Sequence, residues 1–226
     1  MMTKSLEQSP PNLLRLGGVN CSLERRDRRV FSRRSWFTTV LCVPVLLSAG
    51  LMGAFMSEAD AAGEIKLDPE NTVYLDLKDG RVVIQLRPEL APKTVDQFKA
   101  LVRQGFYDNT PFHRVIDGFM AQGGDPTGTG TGGSKLPNVP AEFSKYSHFL
   151  TGTVGMARSN DPNSGNSQFF ICFQPAPSLD GKYTIFGRVV EGMQYVRDIK
   201  RGSGSMGLVK DPDKLIKAQI AADVKP

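Results

Sequence analysis

Cysteine and histidine are scarce in this chain. Its 226 residues include three cysteines and two histidines. Cys21, Cys42 and Cys172 are far apart and show no Cys-x-x-Cys spacing, and His113 and His148 are equally isolated. The sequence therefore indicates neither a metal site nor a cofactor. Cys172 lies in an apolar, strand-like run and is interpreted as a buried side chain rather than a nucleophile.

A basic surface of the kind that binds nucleic acid is also missing. The net charge is +5, but the chain up to Ala61 holds eight Lys/Arg and five Asp/Glu, and the remainder holds twenty and eighteen. The larger part is therefore nearly neutral, and it has no Lys/Arg stripe interleaved with aromatic residues. We expect no nucleic-acid partner. A hydrophobic content of 40% is otherwise typical of a globular protein.

Charge is absent from one N-terminal stretch, residues 35–57, which is long enough to cross a bilayer. Arg33-Arg34 and Trp36-Phe37 mark its start and resemble a bacterial twin-arginine export signal. Ala59-Asp60-Ala61 then offers an A-x-A cleavage pattern. We interpret residues 1–61 as an export signal region that is cleaved or without fold of its own, which predicts a periplasmic mature protein.

Three alternatives remain open for this N-terminal region. It could be a general secretory signal, or it could stay uncleaved as an inner-membrane anchor, although Pro44 would kink such a helix. An organelle transit peptide is the lesser alternative, because Glu7, Glu24 and Asp27 fit it poorly. Contact with a membrane is therefore expected during export only, unless the segment is retained.

The rest of the chain has the pattern of a single β-rich domain. Residues 62–71 are predicted to be an extended lead-in, and 72–226 to form the domain. Val73 and Leu75 begin an alternating apolar pattern, and Asp79-Gly80 predicts a two-residue turn into a second strand. Further strands are predicted at 112–115, 120–122, 153–157, 168–173, 184–190 and 215–221.

Two helices are expected in this domain. Thr94 and Gln97 have the spacing of a capping box at the start of the first helix, and Gly105 is its predicted stop. A short second helix is predicted at 193–200. The Gly-, Thr- and Pro-rich loop 125–140 is expected to pack poorly and to run over the surface. Many short strands with two helices predict a closed β-barrel with helical caps.

Two sequence blocks carry the candidate chemistry. They are FHRVIDGFMAQGGD at residues 112–125 and NSQFFI at residues 166–171. Arg114 supplies a donor that stays charged. Strand alternation places Phe170 on the same face as Gln168, whereas Phe169, Ile171 and Phe173 form the wholly apolar set expected to face the barrel interior.

These blocks resemble the cyclophilins, which are peptidyl-prolyl cis–trans isomerases. The similarity includes TGG at 131–133, GTVGMAR ending at Arg158 and LDGKYTIFGRV ending at Val189, all in the family's order and spacing, and it spans roughly residues 72–223. The resemblance implies a mostly β fold, a closed eight-stranded antiparallel β-barrel capped by two α-helices. It also implies isomerase activity on proline-containing polypeptides, in the service of protein folding and without a cofactor.

The resemblance assigns the site residues as well. The family's catalytic arginine falls on Arg114. The substrate-binding set implied for this chain is His113, Phe119, Met120, Gln122, Ala157, Arg158, Gln168, Phe170, Leu179 and Tyr183.

Four features depart from the family pattern. Ser178 stands in place of a tryptophan whose indole N–H contacts cyclosporin, so weak cyclosporin binding is expected. Tyr183 replaces a histidine, Arg158 replaces a small polar residue, and the loop 159–166 is slightly longer. Two other functions stay open, a proline-directed peptide-binding chaperone and a membrane-tethered scaffold with incidental catalysis. We expect a monomer.

Overall fold

The structure is a computed structural model, and it describes residues 67–225. The predicted export signal at 1–61 lies outside the described residues, as does the lead-in up to residue 66. No helix within the described part is long and apolar enough to cross a membrane.

Ten strands and two α-helices form the described chain. The strands are β1 (Thr72–Leu77), β2 (Gly80–Leu86), β3 (Thr110–Pro111), β4 (Arg114–Ile116), β5 (Met120–Gly123), β6 (Thr153–Met156), β7 (Phe169–Cys172), β8 (Ile185–Glu191), β9 (Lys214–Leu215) and β10 (Lys217–Ile220), and the helices are α1 (Pro92–Arg103) and α2 (Met193–Arg197). Helix α2 ends three residues before the predicted boundary at residue 200.

Eight of the strands form one antiparallel sheet in the order β10-β1-β2-β8-β6-β7-β5-β4. The remaining two, β3 and β9, pair with each other. Because β3 leads into β4 and β9 leads into β10, this short ladder joins the two ends of the large sheet. The predicted mostly β, eight-stranded antiparallel fold with two helices is confirmed. Closure of this sheet into a barrel stays a prediction, since its end strands β10 and β4 do not pair with each other.

The hairpin formed by β1 and β2 is confirmed, but its turn is shifted by one residue. Leu77 pairs with Gly80, so the turn residues are Lys78 and Asp79 rather than Asp79-Gly80. Gly80 belongs to β2 with a φ of +154°, and an added Cβ would lie 2.4 Å from the Tyr195 ring. A glycine is therefore needed at this position to let β2 pack closely against α2, and not to form the turn.

The capping box predicted for α1 is wrong. The helix begins at Pro92, and Thr94 lies buried inside its first turn. The carboxylate of Glu142 caps the helix instead, accepting hydrogen bonds from Lys93 N at 3.1 Å, Thr94 N at 2.9 Å and Thr94 Oγ1 at 2.8 Å. Gln97 donates to Asn166 O, far from the helix start. A remote carboxylate thus satisfies the amide groups that a local side chain was expected to satisfy.

The buried side chains fall into two clusters on opposite faces of β7. Phe169, Ile171 and Phe173 belong to the main core, where Phe169 meets Phe98 edge-on at 5.6 Å between ring centres. Phe170 and Cys172 belong to a smaller cluster on the other face. The predicted alternation is therefore correct. Burial raises the pKa of the Cys172 thiol to about 12, in agreement with its interpretation as a buried, unreactive side chain.

The loop at 125–140 runs mostly over the surface as predicted, but it is not loosely packed. Asp125 is fully buried, and its carboxylate accepts hydrogen bonds from Thr127 N, Gly130 N and Gly132 N at 2.7–3.0 Å. Burial alone would raise the pKa of Asp125, but the hydrogen bond from the Thr127 hydroxyl at 2.8 Å and those from the three amides outweigh it and hold the pKa below its usual value. A single buried anion organises the loop.

Candidate active site

A cavity of about 380 Å³ opens beside the smaller cluster, on the outer face of the sheet. Ten of the eleven residues predicted for the site line this cavity: His113, Arg114, Phe119, Met120, Gln122, Ala157, Arg158, Phe170, Leu179 and Tyr183. Gln168, the eleventh, lines an adjoining cavity of about 530 Å³. The two cavities share a wall that includes Gln122, Ala157 and Arg158.

The floor of the smaller cavity is apolar and rigid. Met120 and Phe170 come from the paired strands β5 and β7 and are 1% and 5% exposed. Phe170 stacks on Phe149 at 5.6 Å and meets Tyr183 edge-on at 5.8 Å. A Cβ at Gly155 would lie 2.5 Å from the Phe170 ring, so this glycine of β6 makes room for the aromatic pair. The floor can hold a small apolar ring by contact alone.

Arg114 lies on the rim of this floor. It is the first residue of β4, and it pairs in register with Gln122 of β5. Its Nε donates to Met206 O at 3.0 Å and its Nη1 to Gln122 Oε1 at 3.1 Å. No carboxylate among residues 67–225 forms an ion pair with Arg114. The guanidinium is therefore fixed in place while its charge remains free to act on a ligand.

Two glutamines connect Arg114 to the loop built on Asp125. Gln122 Nε2 donates to Gln168 Oε1 at 2.9 Å. Gln168 Nε2 in turn donates to Gly130 O at 3.0 Å and to Gly132 O at 2.8 Å. The amides thus form one continuous chain of donors and acceptors, which orients Gln122 so that its oxygen meets the guanidinium.

His113 lies buried in the wall of the smaller cavity. It is 3% exposed, and neither ring nitrogen has a hydrogen-bond partner among the described residues. Burial lowers the pKa of His113 below 6.5. Asp125 and the backbone carbonyl of Pro111 oppose this shift, and Arg114 adds to it. The imidazole is therefore neutral near pH 7.

Arg158 carries a second fixed charge at the site. Its Cζ lies 4.6 Å from the centre of the Tyr183 ring. Its Nε and Nη2 donate to Lys182 O at 3.3 and 2.9 Å, and its Nη1 donates to Ser159 O at 2.8 Å. Backbone carbonyls and an aromatic face therefore hold the side chain on the wall shared by the two cavities.

Sequence reasoning missed two parts of the smaller cavity, residues 129–131 of the loop built on Asp125 and the exposed pair Met206 and Leu208. The second part is the more distant in sequence. Met206 and Leu208 lie in a segment that runs beside β4, where Val115 N donates to Gly207 O at 2.7 Å and Gly202 N to Val115 O at 2.9 Å. Gly207 has a φ of +66°, and an added Cβ would lie 2.4 Å from Ile116 Cγ1. The close run of glycines at 202–207 was the available signal of this approach.

Comparison with known proteins places this geometry in a family. A family model described as cyclophilin type peptidyl-prolyl cis-trans isomerase/CLD matches residues 72–220. The probable peptidyl-prolyl cis-trans isomerase of Brucella suis biovar 1 (strain 1330) is 58% identical over 170 residues, which cover 70% of this chain and 86% of that protein. An isomerase of Schizosaccharomyces pombe is 42% identical over 157 residues, 65% of this chain and 96% of that protein.

Solved structures agree with the sequence relatives. A cyclophilin from Hirschia baltica superposes with a TM-score of 0.63 and 32% identity, over 71% of this chain and 77% of that one. A cyclophilin-type isomerase of Cryptosporidium parvum, crystallised in the presence of the dipeptide Ala-Pro, gives a TM-score of 0.61 and 32% identity, over 66% of this chain and 98% of that one. The chain belongs to the cyclophilin-type peptidyl-prolyl cis–trans isomerases.

Proposed function

We propose that this isomerase accelerates rotation about X-Pro bonds by a hydrogen bond from Arg114 to the prolyl nitrogen of a bound peptide. The observation that carries the proposal is the position of Arg114 on the rim of the apolar cavity, anchored by Met206 O and Gln122 Oε1. Its Nη2 forms no hydrogen bond with any residue in the described part of the chain. Both N–H groups of Nη2 are therefore available to a ligand.

The reaction requires a twisted peptide bond to be bound more tightly than a planar one. Resonance opposes rotation by about 18–20 kcal/mol, and uncatalysed X-Pro exchange takes roughly tens to hundreds of seconds. No covalent bond is made or broken. A hundred-thousandfold acceleration corresponds to about 7 kcal/mol of preferential stabilisation of the twisted state.

Arg114 supplies an interaction that exists only in the twisted state. As resonance is lost, the nitrogen becomes pyramidal and gains a lone pair, which can then accept a hydrogen bond. A guanidinium is suited to this role because it stays charged and its planar shape is fixed. The anchors on Nε and Nη1 remove most of the reorganisation that would otherwise accompany the step.

The apolar floor holds the proline while the rest of the peptide turns. Phe119, Met120, Phe170 and Leu179 form an apolar part of the cavity wall that suits a pyrrolidine ring. The relative crystallised in the presence of Ala-Pro supports proline-containing peptides as the substrate class of this chain as well. Because the ring is held while the preceding carbonyl can rotate, binding energy can be used to stabilise the twisted peptide bond.

A proline-directed binding chaperone is the second candidate. Such a module needs the apolar floor but no donor at the prolyl nitrogen. The fixed and acid-free position of Arg114 favours the isomerase, because a cation without a carboxylate partner adds nothing to a purely apolar grip. We further propose that the substrates are exported proteins, which depends on the twin-arginine-like N-terminal region.

Substitution of Arg114 tests the mechanism directly. We expect Arg114→Ala to lower kcat/KM for an Ala-Ala-Pro-Phe peptide at least a hundredfold, or about 2.7 kcal/mol or more of transition-state stabilisation. The kcat/KM of Arg114→Lys should lie between those of the unmodified protein and Arg114→Ala, because lysine keeps the charge but lacks the planar guanidinium. Rates are measured by NMR exchange spectroscopy, which needs no coupling protease.

Arg188→Ala is the matched control, because Arg188 is an exposed arginine of β8 outside both cavities. It should retain full activity. Circular dichroism and melting temperature establish that each variant is folded. Unchanged exchange rates in folded Arg114→Ala would contradict the mechanism, and peptide binding without catalysis in the unmodified protein would favour the binding chaperone.

A further inference from the structure

Within residues 67–225, the two joined cavities are lined by positive charge and by no acid. Arg158 is the one charged residue lining the larger cavity, and Arg114 and Arg158 are the two lining the smaller one. His113 is neutral at pH 7, as its burial requires. A peptide that crosses from one cavity into the other therefore meets two guanidinium groups and no carboxylate. Such a surface discriminates among peptides by charge.

Arg158 is arranged to recognise a ligand rather than to stabilise the fold through an ion pair. No carboxylate in the described part of the chain forms an ion pair with it. The Tyr183 ring and the carbonyls of Lys182 and Ser159 hold its guanidinium. Little side-chain entropy remains to be lost when a carboxylate binds, and Nη2 keeps a second N–H group for that contact.

We propose that Arg158 is a specificity-determining residue that favours substrates with Asp or Glu within two residues of the proline. An extended peptide advances about 3.3 Å per residue, so a side chain one or two positions from the bound ring reaches the wall shared by the cavities. The inference rests on the proposed function, because it places the proline in the smaller cavity. The N–H group left on Nη2 suits a carboxylate in particular, because a hydrogen bond between two charged groups is stronger than one between neutral groups.

Peptides that differ in one charge test this preference. The full chain is assayed with acetylated, amidated peptides in which Glu, Gln or Lys occupies each position within two residues of a single proline. At the position that faces Arg158 we expect kcat/KM to be about threefold higher for Glu than for Gln, and about tenfold higher for Glu than for Lys, which is the range of a partly exposed ion pair. At about 1 M salt, where the Debye length is about 3 Å, the ratios should approach one.

Substitutions at residue 158 make the test specific to this side chain. Arg158→Gln should remove most of the preference for the Glu peptide. Arg158→Lys should still favour the Glu peptide over the Gln and Lys peptides. Arg158→Glu should reverse it, so that the Lys peptide becomes the better substrate. A merely structural role could not produce that reversal. Arg188→Gln, on β8 outside both cavities, is the control and should leave the ratios as they are.

The outcomes separate this inference from the proposed function. If the Gln peptide is isomerised but Glu is not preferred, or if Arg158→Glu still prefers Glu, the inference is overturned and the isomerase mechanism stands. Peptide affinities measured by NMR titration provide the second readout. A Glu preference in binding that Arg158→Glu reverses, without catalysis of any peptide, supports the inference and overturns the proposed function.

Discussion

The active site contains two side chains that are always charged and one buried side chain whose charge depends on pH. Arg114 and Arg158 stay charged at every physiological pH, whereas the buried His113 between the floor and the loop is neutral. The chemistry proposed for Arg114 therefore needs no proton transfer. The cost of this arrangement is a buried imidazole whose nitrogens have no hydrogen-bond partner among residues 67–225, and we expect it to make the fold sensitive to acid.

His113 should make stability fall as the pH falls below about 6.5. Its folded-state pKa lies below that of the unfolded chain, so the unfolded state takes up a proton first and gains free energy relative to the native state. The loss begins near pH 6.5 and is complete once the pH is below the folded pKa. His113→Phe removes the titration, so we expect a smaller drop in the free energy of urea unfolding between pH 7.5 and pH 5.5. Equal drops in the two proteins would contradict this account.

Ser178 should limit cyclosporin binding. It is exposed within the 3-10 turn Pro177–Leu179, next to Leu179 of the cavity wall. We expect Ser178→Trp to restore the indole donor and to tighten cyclosporin binding about tenfold, the value of one good hydrogen bond. Inhibition of exchange is compared with Ser178→Ala and with a tryptophan-bearing cyclophilin. If the unmodified protein matched that cyclophilin in affinity, the explanation would be wrong.

Single residues were predictable where a local rule applied. Strand alternation was sufficient to place Phe170 over the cavity and Phe169 in the core. The resemblance to the cyclophilins located Arg114 and its neighbours. Met206 and Leu208 could not be predicted, because their approach to β4 depends on a turn 92 residues after Arg114, where Met206 O accepts from Nε. The glycines at 202–207 indicate a close backbone approach there, but they do not say which strand is approached.

At the scale of elements, α1 depends on a side chain outside the helix. Glu142 is 48 residues from Thr94, and its carboxylate binds the first amides of α1. We expect Glu142→Ala to lower the free energy of unfolding by about 1–2 kcal/mol, the usual value of a lost helix cap. Glu142→Gln should lose less, because it keeps an acceptor. Urea unfolding provides the measurement.

Glu191 offers the matched control for that experiment. It is an exposed carboxylate at the end of β8 and lies outside the α1 cap, so Glu191→Ala should change the unfolding free energy by less than about 0.5 kcal/mol. Equal losses for the two alanine variants would mean that the carboxylate of Glu142 does not act as a cap.

The elements themselves were predicted better than their ends. The apolar alternation of β1 and β2 and the helical stripe of α1 are short-range patterns, and the structure contains both. The capping box failed because Thr94 is pulled into the helix by Pro92, which is preorganised for a first turn, and by Glu142. The hairpin turn was misplaced by one residue because Gly80 is needed against Tyr195, a contact that no local rule anticipates.

At the scale of the molecule, the order of the strands in the sheet was the feature hardest to predict from the sequence. The pairing of β8 between β2 and β6 depends on long-range contacts that periodicity does not encode. The family resemblance supplied the barrel, but the two-residue strands β3 and β9 that join the ends of the sheet are too short for any pattern to reveal. The position of the cavity follows from this strand order, because Phe170 on the outer face of β7 forms part of the cavity floor.

We propose that the N-terminal region directs this molecule to the periplasm. We expect protein recovered from the periplasm to begin near Ala62, as determined by N-terminal sequencing. Replacing Arg33 and Arg34 together by lysine should block export and leave the precursor in the cytoplasm. Full-length protein found only in the membrane fraction would instead support the tethered scaffold.

The lone thiol of the catalytic domain has a consequence for its biogenesis. Cys172 is the one cysteine after residue 61, and it is fully buried beneath the cavity floor with Met120 as its register partner. No covalent cross-link can form within the domain, and a reagent must first open the barrel to reach the sulfur. The domain therefore needs no thiol oxidase to mature, and its folding should be the same in a reducing and in an oxidising compartment.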